Sequence, residues 1–239
     1  QLFDGVLQRL SIFITNKQNT DHTIYTTGIN RWYTETRNNL FCLLSYVESP
    51  QSYQPHFVKL GSKIEVNIFN KYVTHIPIRN YIGLSEDYSN SLYYRTAGGG
   101  YWVTFLNAEF DCVSVSNKHT VIRDDIVAKA LSAALNSNLF WWYYSINFDL
   151  FNFKDYMIFG FQFTYTDKTT LSNIIKLSDQ MEISLRENAV YYSINSATNG
   201  LNETVTYQKF KSKDIMDTID KELKKIYNFT DEELDFIIN

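Results

Sequence analysis

The chain has 239 residues, 44% of them apolar, 16% aromatic and 20% charged, and carries a net charge of −4. That balance describes a globular chain long enough to bury a sizeable core as one large domain or two small ones. It argues against a free-standing, strongly basic nucleic-acid binder, although a groove needs only a local basic patch; with no run of about 20 apolar residues, no membrane-spanning helix is predicted.

Leu7 to Ile14 (LQRLSIFI) has strand length and β-branched residues at its end, and the polar NKQNTD that follows is turn material. Residues 24–44 mix strand and helix signals, and ESPQSYQPH (48–56), with two prolines, is the best linker candidate. Ser62 and Glu65 form a capping box, and Ile64, Ile68 and Tyr72 follow at helical spacing, so a helix is predicted from about Ser62 to Val73. A polar loop follows over about 80–90. Tyr101–Leu106 and Phe110–Val115 read as strands, the second with Cys112 and Ser114 on one face.

Arg123-Asp124-Asp125 opens the strongest predicted helix, with Val127, Leu131, Leu135, Leu139, Trp142 and Ile146 as one apolar stripe. Tyr156–Tyr165 (YMIFGFQFTY) reads as a buried strand with Gly160 as a bulge. Thr169–Glu187 reads as helix, and Val190–Ile194 and Thr204–Phe210 as strands around the turn-rich SATNGLN. Ser212 heads a further helix with Ile215, Ile219, Leu223 and Ile226 on one face, and Thr230 to Glu233 is a second capping box. Helices and strands without βαβ regularity make the class α+β.

The common catalytic signatures are missing: no phosphate-binding GxxxxGK[ST], no HExxH, no GxSxG and no paired Cys/His metal spacing. No catalytic or metal residue is assigned. Cys42 and Cys112, far apart and outside any CxxC pair, read as reduced thiols of a cytoplasmic protein. The chain does not begin with Met, and both ends read as cuts through a longer polypeptide.

YYRTAGGGYW (93–102) sets Arg95 beside Gly98, Gly99 and Gly100, three residues that are costly to order. Either a bare backbone lies close to a ligand, with the arginine taking a phosphate or a guanine edge, or a hairpin turn separates two sets of core aromatics. The aromatic run NSNLFWWYY (136–144), at the end of the strongest predicted helix, is read mainly as core, with stacking on bases as the sharper alternative. The lysines at 209, 211, 213, 221, 224 and 225 read as a solvated face.

Three segments, taken in order, resemble adenine-N6-specific DNA methyltransferases of restriction–modification systems. Phe3-Asp4-Gly5-Val6, Gln8-Arg9-Leu10, Arg31-Trp32 and Glu35-Thr36-Arg37 are similar to the stretch after the catalytic core. YYRTAGGGYW and LNSNLFWWYY (135–144) resemble the TaqI-like specificity domain, and IDKELKKIYNFTDEELDFIIN (219–239) resembles the segment closing the specificity region in fused restriction–methylation polypeptides.

The resemblance implies that 1–44 is the end of a methyltransferase domain, 45–211 a mixed-sheet DNA target recognition domain with packed helices, and 212–239 a helical closing segment. The catalytic tetrapeptide and the S-adenosylmethionine loop would lie upstream, so this part would read double-stranded DNA next to a catalytic domain and hold no cofactor itself. It leaves open whether the parent also cleaves DNA. By residue chemistry and loop position the DNA-binding candidates are Arg95, Gly98, Gly99, Gly100, Tyr101, Lys118, His119 and Arg123. A stand-alone carbohydrate-binding module and a protein-interaction domain are the alternatives.

Overall fold

A computed structural model describes residues 12–16, 23–30, 33–50, 57–83, 90–96, 103–150, 153–165, 168–196 and 200–239. The expected glycine loop at 97–102, the linker at 51–56 and most of the first predicted strand lie outside the described residues. Ile12, Phe13 and Ile14, the described end of that strand, have no strand partner among the described residues and are exposed.

The α+β class holds. Helices α1 (Lys63–Tyr72), α2 (Asp125–Leu135), α3 (Asn138–Asn147), α4 (Asp155–Phe159), α5 (Lys168–Glu187), α6 (Lys213–Tyr227) and α7 (Asp231–Ile238) surround one core. The described β-structure is three separate two-stranded antiparallel sheets, not one mixed sheet: β1 (Tyr25–Thr26) with β2 (Val47–Glu48), β3 (Ser91–Arg95) with β4 (Asn117–Val121), and β5 (Ala189–Ser196) with β6 (Gly200–Tyr207). Among the described residues no helix is long and apolar enough to cross a membrane.

α1 begins as its sequence predicts, with the Ser62 hydroxyl accepting from the Glu65 amide at 3.3 Å. The Glu65 carboxylate reaches back one residue further than expected and accepts from the Gly61 amide at 2.8 Å. Gly61 itself is required by a close approach: a Cβ there would lie 2.5 Å from the Gly28 nitrogen. α5, the β5–β6 hairpin and α6 also fall where expected, although Ser212 heads α6 without a side-chain cap. Asn228 closes α6 in the left-handed conformation that an asparagine tolerates, at φ 53°.

The long helix expected from residue 125 to 146 is two helices. Asn136 ends α2, and the Ser137 hydroxyl starts α3 by accepting from the Phe140 amide at 3.1 Å. The apolar stripe runs through the break because both helices bury residues on nearly every side, which a single-face pattern does not distinguish. The run Phe140, Trp142, Tyr143 and Tyr144 is core, and Tyr72 stands at its centre with Trp142, Tyr143, Phe161 and Tyr227 around its ring.

Three expected strands are corrected. Tyr156–Tyr165 is α4 followed by an extended segment that touches a strand-like partner only at Gln162, opposite Pro77; an unbroken apolar run suits a buried helix as well as a strand. Gly160 is the joint rather than a bulge, since a Cβ there would meet the Tyr143 hydroxyl at 2.8 Å and the Tyr156 carbonyl at 3.1 Å. In Tyr101–Leu106 the described part bridges only at Leu106, opposite Tyr93, because the Asn136 side chain takes the place of a partner strand. Its amide donates to the Phe105 carbonyl at 2.7 Å and its oxygen accepts from the Phe105 amide at 3.2 Å. Phe110–Val115 is a loop closed by a turn, with the Asn117 amide donating to the Ser114 carbonyl at 3.0 Å.

Candidate nucleic-acid interface on the β3–β4 hairpin

The described candidates gather on one hairpin. Tyr93 pairs with His119, Tyr94 with Lys118, and Arg95 with Asn117. Residues opposite one another share a face, so His119 stands on the face of Tyr93, and Lys118 on the face of Tyr94. β3 is held on its second side by the bridge to Leu106. On the side away from β3, the end of β4 is covered by residues 81–83: the Gly83 amide donates to the Val121 carbonyl at 2.8 Å, Ile82 bridges Ile122, and the Arg123 amide donates to the Tyr81 carbonyl at 2.9 Å. Among the described residues only the start of β4, at Asn117 to Thr120, is therefore an open edge.

Lys118 and His119 are exposed neighbours on that edge. Lys118 reaches Asp155 at the start of α4 at 3.1 Å, and the ring of His119 lies 5.6 Å from that of Tyr93. Arg123, also exposed, follows β4 at its other end; its Nε donates to the Ile82 carbonyl at 3.0 Å, and its two terminal nitrogens make no hydrogen bond among the described residues. Five residues of extended chain place Lys118 and Arg123 roughly 16 Å apart.

Arg95 is placed differently. Its Nε donates to the Asn117 side chain at 2.8 Å, one terminal nitrogen donates to the Val205 carbonyl of β6 at 3.0 Å, and the guanidinium lies 4.7 Å from the centre of the Phe110 ring. It is half-buried and fastens β3 and β4 to the β5–β6 hairpin. Gly98, Gly99, Gly100 and Tyr101 lie outside the described residues.

Two concavities flank the hairpin and share Lys118. The larger, about 580 Å³, is lined by Thr96, Lys118, Phe153, Lys154, Asp155 and Tyr156. Lys154 and Tyr156, both exposed, are contributions that sequence reading missed; Tyr156 read as the first residue of a buried strand and Lys154 as a residue just before it, and neither gave a signal of an open groove. The Tyr94 hydroxyl donates to Asp155 from below at 2.9 Å, and burial, reinforced by that bond and by the Asp155 charge, pushes the phenol well above its ordinary range. The smaller concavity, about 210 Å³, is lined by Tyr93, Glu109, Val113, Lys118 and His119 among others.

The loop between the strands is clamped from outside. Asp111 takes a salt bridge from Arg186 of α5, a hydrogen bond from the Tyr191 hydroxyl at 2.8 Å and one from the Tyr207 hydroxyl at 3.0 Å. Burial first, and then the bond to the Asp111 carboxylate and its charge, push Tyr207 up to about 12, against the pull of the Asp111 amide that donates to the phenol oxygen. Lys209 fixes the loop's described start by donating to the Val103 carbonyl at 3.0 Å. Among the described residues no group of three or more His, Cys, Asp or Glu side chains is placed to hold a metal ion. No family model matches the chain, and neither a curated protein nor a solved structure does.

Proposed function

We propose that this chain reads double-stranded DNA as the target recognition part of an adenine-N6-specific DNA methyltransferase. The observation that carries the reading is the run of exposed side chains on β4 and its continuation: Lys118 and His119 on the open start of the strand and Arg123 just past its covered end, with Lys154 and Tyr156 across the adjoining groove. Lys118 and Arg123 suit contacts to separate phosphates, Lys118 by exchanging its exposed ion pair with Asp155 for a phosphate, in a chain whose net charge is −4. The ordered resemblance of the three sequence segments supplies the class of enzyme.

The partner of the reading part is a catalytic methyltransferase domain. Ile12, Phe13, Ile14, Phe41 and Leu43 expose large apolar surface, and a second folded body covers such surface more often than water does. S-adenosylmethionine belongs to that domain.

The test is a salt-dependent titration of the chain against a randomised duplex pool, with sequencing of the bound fraction. The reading predicts an enriched short motif and an affinity that falls steeply with salt. A chain that enriches no motif, alone or joined to its catalytic domain, overturns it. Binding to polysaccharide in place of DNA would favour the carbohydrate module.

A further inference from the structure

The tip of the β3–β4 loop carries an apolar pair in an unusual setting. Val113 and Val115 are 98% and 106% exposed, while Ser114 between them accepts from the Ser116 amide at 3.2 Å. The serine therefore turns into the loop and both valines point to solvent. The tip is also held firmly: Asp111 is gripped by Arg186, Tyr191 and Tyr207, and the Asn117 side chain donates to the Cys112 carbonyl at 2.9 Å. An anchored loop has lost its conformational entropy before any ligand arrives, so contacts made at its tip are not offset by ordering it.

Resting on the DNA reading above, we infer that Val113 and Val115 are the specificity-determining tip of this domain and contact the C5-methyl groups of thymines in the major groove. Val113, though not Val115, lines one concavity with Lys118 and His119, so one valine of the pair borders the same space as groups that would meet phosphate. Valine is short and β-branched, unlike the longer or more rigid side chains that wedge between base steps, and suits contact with a methyl on a groove floor. Two residues of chain span at most about 7 Å, within two base-pair steps of about 3.4 Å. The tip therefore fits thymines at neighbouring or next-neighbouring positions.

The experiment compares two randomised duplex pools, one with thymine and one with uracil in its place, for the whole chain and for Val113→Ala/Val115→Ala. Both valines lie on the surface, and circular dichroism with thermal melting confirms that the variant folds. The expected result is a T-containing motif, about fourfold weaker binding for each contacted methyl removed, and a variant that binds both pools equally. Binding of both pools equally by the unmodified chain, or retained discrimination by the variant, overturns this inference and leaves the DNA reading standing. Absence of any DNA binding overturns both.

Discussion

Lys209 and Asp220 place opposite charges in the same interior, each almost without solvent contact at 3% and 2% exposure. The Asp220 carboxylate accepts from the Asn138 amide at 3.0 Å, the Leu139 amide at 3.1 Å and the Asn138 side chain at 2.7 Å, which makes it the anion at the start of α3. Lys209 holds the Val103 carbonyl at 3.0 Å. The pair thus links α6, α3 and the segment that returns from the glycine run.

Burial sets the pH behaviour of this pair. It lowers Lys209 to about 7, against the pull of the Asp220 charge, and raises Asp220 to about 7, against the three hydrogen bonds it accepts. The raised Asp220 contributes stability that is full below pH about 4 and lost as pH climbs to about 7. The depressed Lys209 contributes stability that is full above pH about 10.5 and lost as pH falls to about 7. Their sum is a minimum near neutrality. Urea unfolding across pH should show it, and Asp220→Asn should flatten the acid limb; parallel profiles for the two proteins would refute the assignment. Asp220→Ala removes the acceptor of the Asn138 and Leu139 amides at the start of α3 and should cost about 1–3 kcal/mol at pH 7.

Asn136 carries a second buried polar load. Replacing it with leucine leaves the buried Phe105 amide without its acceptor, while the Phe105 carbonyl keeps the Ser132 hydroxyl at 3.4 Å. The expected loss is about 1–3 kcal/mol, the cost of one unsatisfied buried group. Chemical denaturation reads it directly, and a loss below 1 kcal/mol would mean that water replaces the amide.

Legibility in the sequence followed the locality of the signal. Ser62 with Glu65 and Thr230 with Glu233 are caps built within four residues, and both ends formed where they read. The break at Asn136–Ser137 was hidden because Asn136 serves a distant partner, Phe105, and no local pattern records that. The YMIFGFQFTY run failed for the opposite reason: it is buried all round, and a period cannot be read from a stretch with no polar face. At the candidate site, Lys118, His119 and Arg123 were found by residue chemistry. Lys154 and Tyr156 were not, since only tertiary packing brings α4 to the hairpin. Arg95 was chosen for its charge, but its partners on β6 and at Phe110 lie far along the chain and could not be seen from YYRTAGGG.

That placement of Arg95 separates two kinds of variant. Arg95→Ala removes two hydrogen bonds and a ring contact, and should destabilise the protein by about 2 kcal/mol. Lys118→Ala breaks only an exposed ion pair with Asp155, so its stability should change by no more than about 0.5 kcal/mol. In DNA titrations across salt, Lys118→Ala and Arg123→Ala should each lower the slope by about 1, whereas Arg95→Ala should leave it unchanged at temperatures where the variant is folded. A reduced slope for Arg95→Ala alone would return that arginine to the DNA surface.

Glu233 performs two tasks with one carboxylate oxygen. It accepts from the Thr230 amide at 2.7 Å, completing the capping box of α7, and from the Lys71 ammonium of α1 at 2.6 Å. The glutamate side chain is 5% exposed and the lysine 31%, so solvent screens this bridge less than it screens the surface pairs. Thr230→Ala tests the cap alone and should cost about 1 kcal/mol. A double-mutant cycle of Lys71→Met with Glu233→Gln tests the bridge, and a coupling of about 1 kcal/mol or more is expected, above the usual few tenths of an exposed helix pair. Amide exchange in Asp231–Ile238 should accelerate in both single variants if the bridge docks α7 onto α1. Unchanged exchange would mean that the apolar face around Ile237 holds the helix by itself.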